Sequence, residues 1–296
     1  MGDPLFKRRI RENEQKTTSS VPRTESPEEC KSPSFSLADG SVLMLGNAQH
    51  QGKRPYQEDS CGYSDLGNSE LMNSKGILAV LADGMGGLAN GKEVSSTLVS
   101  RLLELFNRPD TVCTGGADLY EWARRINDEI CSRFCPDGSI KAGSTLVCAL
   151  ITGGILHWIC VGDSRLYLKR NSRIYQVNED HDYLNDLLSR AICGEISVDE
   201  AFSDPQKDVL VSCFGNEQMP RVDYSVSGFS LQSGDRLLLC SDGVYNAIPT
   251  ELINQLLDKD PQTAAESIET AVLNQGFANQ DNLTAIVISY EKGERI

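Results

Sequence analysis

Five aspartates in this 296-residue chain stand where short apolar runs stop: Asp59, Asp83, Asp163, Asp242 and Asp281, with Glu58 beside the first. The pattern is plainest at Ala79-Val80-Leu81-Ala82-Asp83-Gly84-Met85-Gly86-Gly87, where a continuous apolar run meets one carboxylate and then a glycine-rich turn. Arg236-Leu237-Leu238-Leu239-Cys240-Ser241-Asp242-Gly243 repeats it. Singly, each aspartate is a turn or cap residue, and Asp-Gly is a common turn pair. Together they ask for a cation. Strand ends on one side of a sheet lie close in space, and several carboxylates gathered there repel one another. An all-oxygen donor set suits magnesium or manganese, each keeping some of its waters. Two such ions about 4 Å apart can hold a nucleophilic water at neutral pH and polarise a phosphoryl oxygen. Glycine after Asp83 lets the backbone approach a ligand closely, so the Gly84 carbonyl joins Asp83 as a candidate ligand. Calcium is the alternative, although the D-x-[DN]-x-[DN]-G loop of an EF-hand is absent.

The elements that must hold these residues follow from periodicity. Continuous apolar runs at 42–48, 76–82, 144–151, 155–161, 165–168, 236–240 and 283–290 predict strands, with 209–214 and 222–231 also strand-like. Gly153-Gly154 predicts a tight hairpin. Val94, Leu98, Leu102 and Phe106 recur at steps of four and predict a helix over 91–106. Leu119, Trp122, Ile126, Ile130 and Phe134 predict a second over 118–134, with Asp118 as its N-cap. Two more are expected at 250–257 and 261–275, the latter opening on Pro261. Residues 66–73 read as a loop, and 180–203 as a polar, partly helical insertion of the kind that forms a lid. Strands come in meanders and helices in pairs. The expected fold class is therefore α+β, two packed antiparallel sheets flanked by pairs of helices, rather than a doubly wound parallel sheet. Residues 1–40, rich in Ser, Thr, Pro and charge, read as a disordered polar tail, leaving one domain over 41–292.

Composition excludes several classes. The net charge is −14, and none of that excess lies in the first 40 residues, whose seven basic and seven acidic side chains cancel. Such a surface repels nucleic acid and anionic lipid. No apolar run approaches the roughly 20 residues that span a bilayer. Residues 1–11 show no secretory signal, and Phe6 breaks the myristoylation pattern that Gly2 begins. Ten cysteines, several within apolar strands, fit buried thiols in a reducing cytoplasm. His50, His157 and His181 show no paired spacing, and Cys240 ends an apolar strand without the phosphate loop of a cysteine nucleophile.

Six stretches, taken in order, are similar to the metal-dependent protein phosphatases, type 2C class, of the bacterial type. They are Arg54-x-x-x-Glu58-Asp59-Ser60, Asp83-Gly84-Met85-Gly86-Gly87, Gly143-Ser144-Thr145, Val161-Gly162-Asp163-Ser164-Arg165, Ser241-Asp242-Gly243 and Asp281-Asn282-Leu283-Thr284. The resemblance covers the chain after the tail and implies an α-β-β-α sandwich. It also implies a Ser/Thr phosphatase using two Mn²⁺ or Mg²⁺ ions, with a third bound weakly. Asp83 would bridge the ions, and Asp242 and Asp281 would complete the first. The Gly84 carbonyl would bind the second, which Glu58 and Asp59 reach through waters. Asp163 with Asp242 would serve the third, and Arg54 would bind the substrate phosphate. Catalysis would centre on Arg54, Asp83 and Asp242, with a metal-bridging water as nucleophile. Met85 departs from the histidine that animal members carry there as a proposed general acid. Expected partners are phosphorylated proteins, the targets of Ser/Thr kinases, met by a monomer. A catalytically inactive regulatory module of the same fold is the alternative.

Overall fold

The computed structural model describes residues 32–86, 90–136 and 138–293. Most of the expected tail, residues 1–31, lies outside these. The rest of it does not. Ser34–Ser36 forms β1, paired antiparallel with β2 (Val42–His50), and the Ser32 hydroxyl donates to Asp260. Order therefore begins before residue 41, because three residues of extended chain find a sheet edge to complete.

The chain continues through β3 (Ser60–Tyr63), α1 (Ser69–Lys75), β4 (Ile77–Ala82) and β5 (Gly84–Met85). Helices α2 (Asn90–Asn107) and α3 (Gly116–Phe134) follow as an adjacent pair. Then come β6 (Gly143–Ser144), β7 (Leu146–Thr152), β8 (Ile155–Val161), β9 (Arg165–Arg170) and β10 (Arg173–Gln176). The insertion holds α4 (Tyr183–Ile192) and α5 (Val198–Ser203). After it run β11 (Asp223–Tyr224), β12 (Phe229–Ser230), β13 (Asp235–Cys240), α6 (Asp242–Tyr245), α7 (Thr250–Leu256), α8 (Pro261–Leu273) and β14 (Leu283–Glu291). One sheet has the order β1-β2-β14-β13-β9-β10, the other β11-β8-β7-β4-β3 with β12 also on β8.

Continuous apolar strands arise because both faces of each sheet are covered. In β4, Ile77, Ala79 and Leu81 pack in the layer between the sheets, beside Leu239 and Ile286. Leu78, Val80 and Ala82 face the opposite way, onto Val94, Leu98 and Leu102 of α2 and Ile126 of α3. Burying each such Leu or Ile is worth about 1.5–3 kcal/mol. β13 divides likewise: Leu237 and Leu239 go inward, Leu238 and Cys240 to Ile253, Ala264 and Ile268 of α7 and α8. The expected α-β-β-α layering is what the structure contains.

Differences from the sequence reading are local. Residues 69–73, expected as part of a loop, belong to α1. Asn68 caps it by accepting the Leu71 N–H at 3.0 Å, and only Leu71 and Met72 are buried, too few to show a period. Asp118 lies inside α3 rather than at its N-cap, where it accepts the Thr114 N–H at 2.6 Å. Residues 209–214 make only isolated bridges, Asp182 with Leu210 and Ser144 with Phe214, because each end meets a different element. Of 222–231, only β11 and β12 pair, both on β8.

Helix α8 lies hard against β2 at one point. A Cβ on Gly46 would stand 2.3 Å from the Gln262 nitrogen and 2.4 Å from the Pro261 carbonyl carbon. Gly46→Ala should therefore push α8 off the sheet and cost about 1–3 kcal/mol. A denaturant midpoint unchanged from wild type would show that the contact is not limiting.

Candidate active site

The two sheets deliver their acidic strand ends to one edge. Asp83 follows β4 and Asp163 occupies the β8–β9 turn. Asp242 opens α6 directly after β13, and Asp281 precedes β14. Glu58 and Asp59 precede β3, and Arg54 lies in the loop after β2. Arg54, Glu58, Asp83, Gly84, Met85, Asp163, Asp242 and Asp281 line one cavity of about 530 Å³. Of the residues expected in the site, Asp59 alone is not on its wall. It is fully buried beneath.

The charges in this cavity oppose one another. Asp83 is pushed well above the usual carboxylate range by burial first, then by Asp59, Asp242, Asp163 and Asp281. Burial and the charges of Asp281 and Asp59 raise Asp242 to about 6. Burial, Asp242 and Asp180 raise Asp163 to about 7. Glu58 is raised by burial, and so is Asp59 despite two hydroxyl donors. Arg54 offers the cavity its counter-charge, donating to Asp281 at 2.5 Å. Its side chain is half exposed, so that pair is weak and exchangeable.

Hydroxyl and amide side chains hold the carboxylates in place. Ser241 and Thr284 both donate to one oxygen of Asp59, at 2.8 and 2.7 Å. The Asp83 N–H donates to Thr145 Oγ1 at 3.1 Å, and the Asp83 carbonyl accepts the Thr145 N–H at 2.8 Å. Asn282 Oδ1 accepts the Glu58 N–H at 2.7 Å, while its Nδ2 donates to the Gln51 and Tyr56 carbonyls at 2.8 and 2.9 Å. It thus fixes both limbs of the Arg54 loop. Tyr245 donates to the Asp163 carbonyl at 3.0 Å and carries the Arg165 guanidinium 3.5 Å above its ring. Arg165 in turn pairs with Asp180 at the root of the insertion. Thr145, Ser241, Asn282 and Thr284 lie within the sequence motifs, where residue type and spacing do not reveal these supporting contacts. Their signal is a polar residue at the end of a buried strand.

Glycine at position 84 answers to packing rather than to backbone angle. A Cβ there would lie 2.3 Å from the Gly91 carbonyl oxygen and 2.7 Å from that of Glu58. The left-handed backbone belongs to Gly86, at φ 135°. His50 is outside the cavity lining, and its Nδ1 accepts the Gly52 N–H at 2.8 Å. His157 is buried, as expected of a packed strand residue.

Divalent cations fit the donor set. Glu58 Oε1 and Asp59 Oδ1 are buried with no hydrogen-bond partner among the described residues, acceptors open to a cation, a water or a proton. Among the described residues, no three His, Cys, Asp or Glu side chains stand together as a ready-made metal-holding group. The carboxylates ring an open cavity, the arrangement of a site whose ions keep several waters.

Residues 47–280 match the family model described as Protein phosphatase 2C. The chain belongs to the protein phosphatase 2C family. It is 32% identical over 217 residues to the serine/threonine phosphatase stp of Listeria monocytogenes, covering 71% of this chain and 83% of that one. The crystal structure of the serine/threonine phosphatase PstP of Mycobacterium tuberculosis superposes with a TM-score of 0.69 at 28% identity, covering 84% of this chain and 99% of that one. The catalytic domain of PstP in complex with two manganese ions gives a TM-score of 0.67 at 26% identity, covering 85% of this chain and 99% of that one. As a protein phosphatase 2C, this chain has its expected six motifs gathered at one cavity. No helix among the described residues is long and apolar enough to cross a membrane.

Two outcomes follow from the geometry. Asn282→Ala removes three hydrogen bonds and should cost about 1–3 kcal/mol in chemical denaturation. Loss below a few tenths would mean the Arg54 loop is held elsewhere. Asp163 and Asp242 have folded values above the ordinary 3.8, at about 7 and about 6. Between pH 4 and 7 the metal-free folded chain therefore binds protons that the unfolded chain has released, so stability falls as pH rises through that window. With chelator present, the thermal midpoint should drop from pH 5 to pH 8, and drop less in Asp163→Asn. An equal drop in both would contradict the assignment.

Proposed function

We propose that this protein phosphatase 2C hydrolyses phosphoserine and phosphothreonine in proteins at the carboxylate cavity, reversing the action of Ser/Thr kinases. The observation that carries this reading is the convergence of Asp83, Asp242, Asp281, Asp163 and Glu58 on one cavity beside Arg54. Asp83, at the centre of the like charges, is the candidate bridging ligand for two ions. Asp242 and Asp281 complete one site, and the Gly84 carbonyl serves the other. Glu58 and Asp59 would reach that second ion through waters, and Asp163 with Asp242 would hold a third. Manganese or magnesium is the proposed metal, supported by the all-oxygen donors and by the two manganese ions of PstP. When bound, the ions supply Lewis acidity and a nucleophilic water at neutral pH.

The chain's own residues do the rest. Arg54 presents two N–H groups of a planar fork, which match two phosphoryl oxygens. To take a phosphate it exchanges its contact with Asp281. Asp59, held by hydroxyl donors from Ser241 and Thr284, fixes a carboxyl group beneath the cavity floor. Met85, on the wall, has no proton to give a departing alkoxide. Water is the proposed donor of the leaving-group proton. All nine cysteines among the described residues are free thiols, which supports a reducing, cytoplasmic setting. The catalytic domain extends over 41–292 together with the edge strand β1, and a monomer suffices, because one chain supplies the whole cavity.

The test is hydrolysis of p-nitrophenyl phosphate with Mn²⁺, with and without chelator, by wild type, Asp83→Asn and Asp242→Asn. Turnover should require Mn²⁺ and fall at least 100-fold in both variants, about 2.7 kcal/mol of barrier. Activity that survives chelator and both substitutions would overturn the reading and favour an inactive module with a contaminating hydrolase.

A further inference from the structure

Two unlike segments contribute to the cavity wall. One is the Arg54 loop, with Pro55 and Tyr56 beside the guanidinium. The other is the far end of the insertion, where Asp208 and Leu210 reach the same cavity. Asp208 is held there by its neighbours. The Lys207 carbonyl accepts the Leu184 N–H at 2.8 Å and the Val209 carbonyl accepts the Tyr183 N–H at 2.9 Å. Both contacts tie the strand-like segment to the first turn of α4. The Asp208 side chain between these ties remains 79% exposed. Its ion pair among the described residues is with the adjacent Lys207, at 2.8 Å, a surface pair that a competing cation can replace.

Asp208 also differs in kind from the other carboxylates of the cavity. The charges that press most on Asp83 are Asp59, Asp242, Asp163 and Asp281. Those are the groups that ions would neutralise, and Asp208 is not one of them. Among the described residues that line the cavity, Arg54 is the one cation. The insertion beyond it carries nine acidic and two basic side chains between residues 179 and 208, in a chain of net charge −14. A phosphorylated segment approaching this surface meets like charge unless it brings its own cations.

We propose that Asp208 is a specificity-determining residue, which accepts the ammonium or guanidinium of a Lys or Arg flanking the phosphorylated residue in the substrate. The inference rests on the phosphatase reading above and names its substrate class: phosphosites with basic neighbours. With the phosphate held by Arg54, a peptide lying along the cavity wall can present a flanking side chain to Asp208, which lines the same cavity. Exposed Val209 beside Asp208 offers the aliphatic stem of that side chain an apolar contact.

The experiment compares kcat/KM on three phosphothreonine peptides that differ only at the two residues on each side of the phosphosite: Arg, Gln or Glu. The enzymes are wild type, Asp208→Asn and Asp208→Lys, all with Mn²⁺. Because each enzyme is judged by its ratio between peptides, any general change in activity cancels. Wild type should prefer the Arg peptide over the Gln peptide by about two- to fivefold. Asp208→Asn should flatten that ratio, and Asp208→Lys should invert the order of Arg and Glu peptides. Turnover by all three enzymes with one shared ratio overturns this inference alone. Absence of turnover on every substrate overturns the phosphatase reading and this inference with it.

Discussion

Mutual repulsion among carboxylates is the constraint on which this molecule turns. Placing Asp83, Asp163, Asp242 and Asp281 around one cavity works against burial and against Coulomb's law together, and the raised proton affinities of Asp83, Asp163 and Asp242 reflect that opposition. Nothing in the local sequence requires such crowding. It is imposed by two sheets whose strands end on the same edge, and it persists because the sheets are held by much larger apolar terms elsewhere. A site of this kind is destabilising by itself, and the surrounding core must exceed that cost.

Much of this was legible in the chain. Apolar runs such as Ile77–Ala82 and Asp235–Cys240 report strands covered on both faces, and a step of four from Val94 to Phe106 reports a helix on one of them. The short elements were not legible. α1 buries two side chains, and β1 spans three residues. Segments that small are stabilised by what they touch, Asn68 for the first and the edge of β2 for the second. Asp118 shows the same limit: its side chain caps backward from inside α3, an alternative to an N-cap that spacing cannot separate.

At the site, sequence gave away the charged residues and concealed their supports. An aspartate at the end of an apolar run stands out. Asn282 and Thr145 do not, since amides and hydroxyls are common in turns. Their importance lies in partners distant along the chain: Asn282 reaches Tyr56 and Gln51, and Thr284 reaches Asp59. Gly84 illustrates a further gap. Its residue type pointed to a free backbone, but the reason is the closeness of Gly91 and Glu58, which depends on where α2 begins.

The layer between the sheets has a consequence beyond cohesion. Asp83 hangs from one sheet and Asp242 and Asp281 from the other, while Asp163 spans the turn that joins them. The separation across the cavity is therefore set by the side chains stacked behind it, among them Leu81, Val147, Leu239 and Ile286. These residues touch nothing reactive, yet they act as a spacer gauge. A methylene added or lost in that stack moves one bank of carboxylates against the other, so the tolerance of this core to change is the tolerance of the site itself.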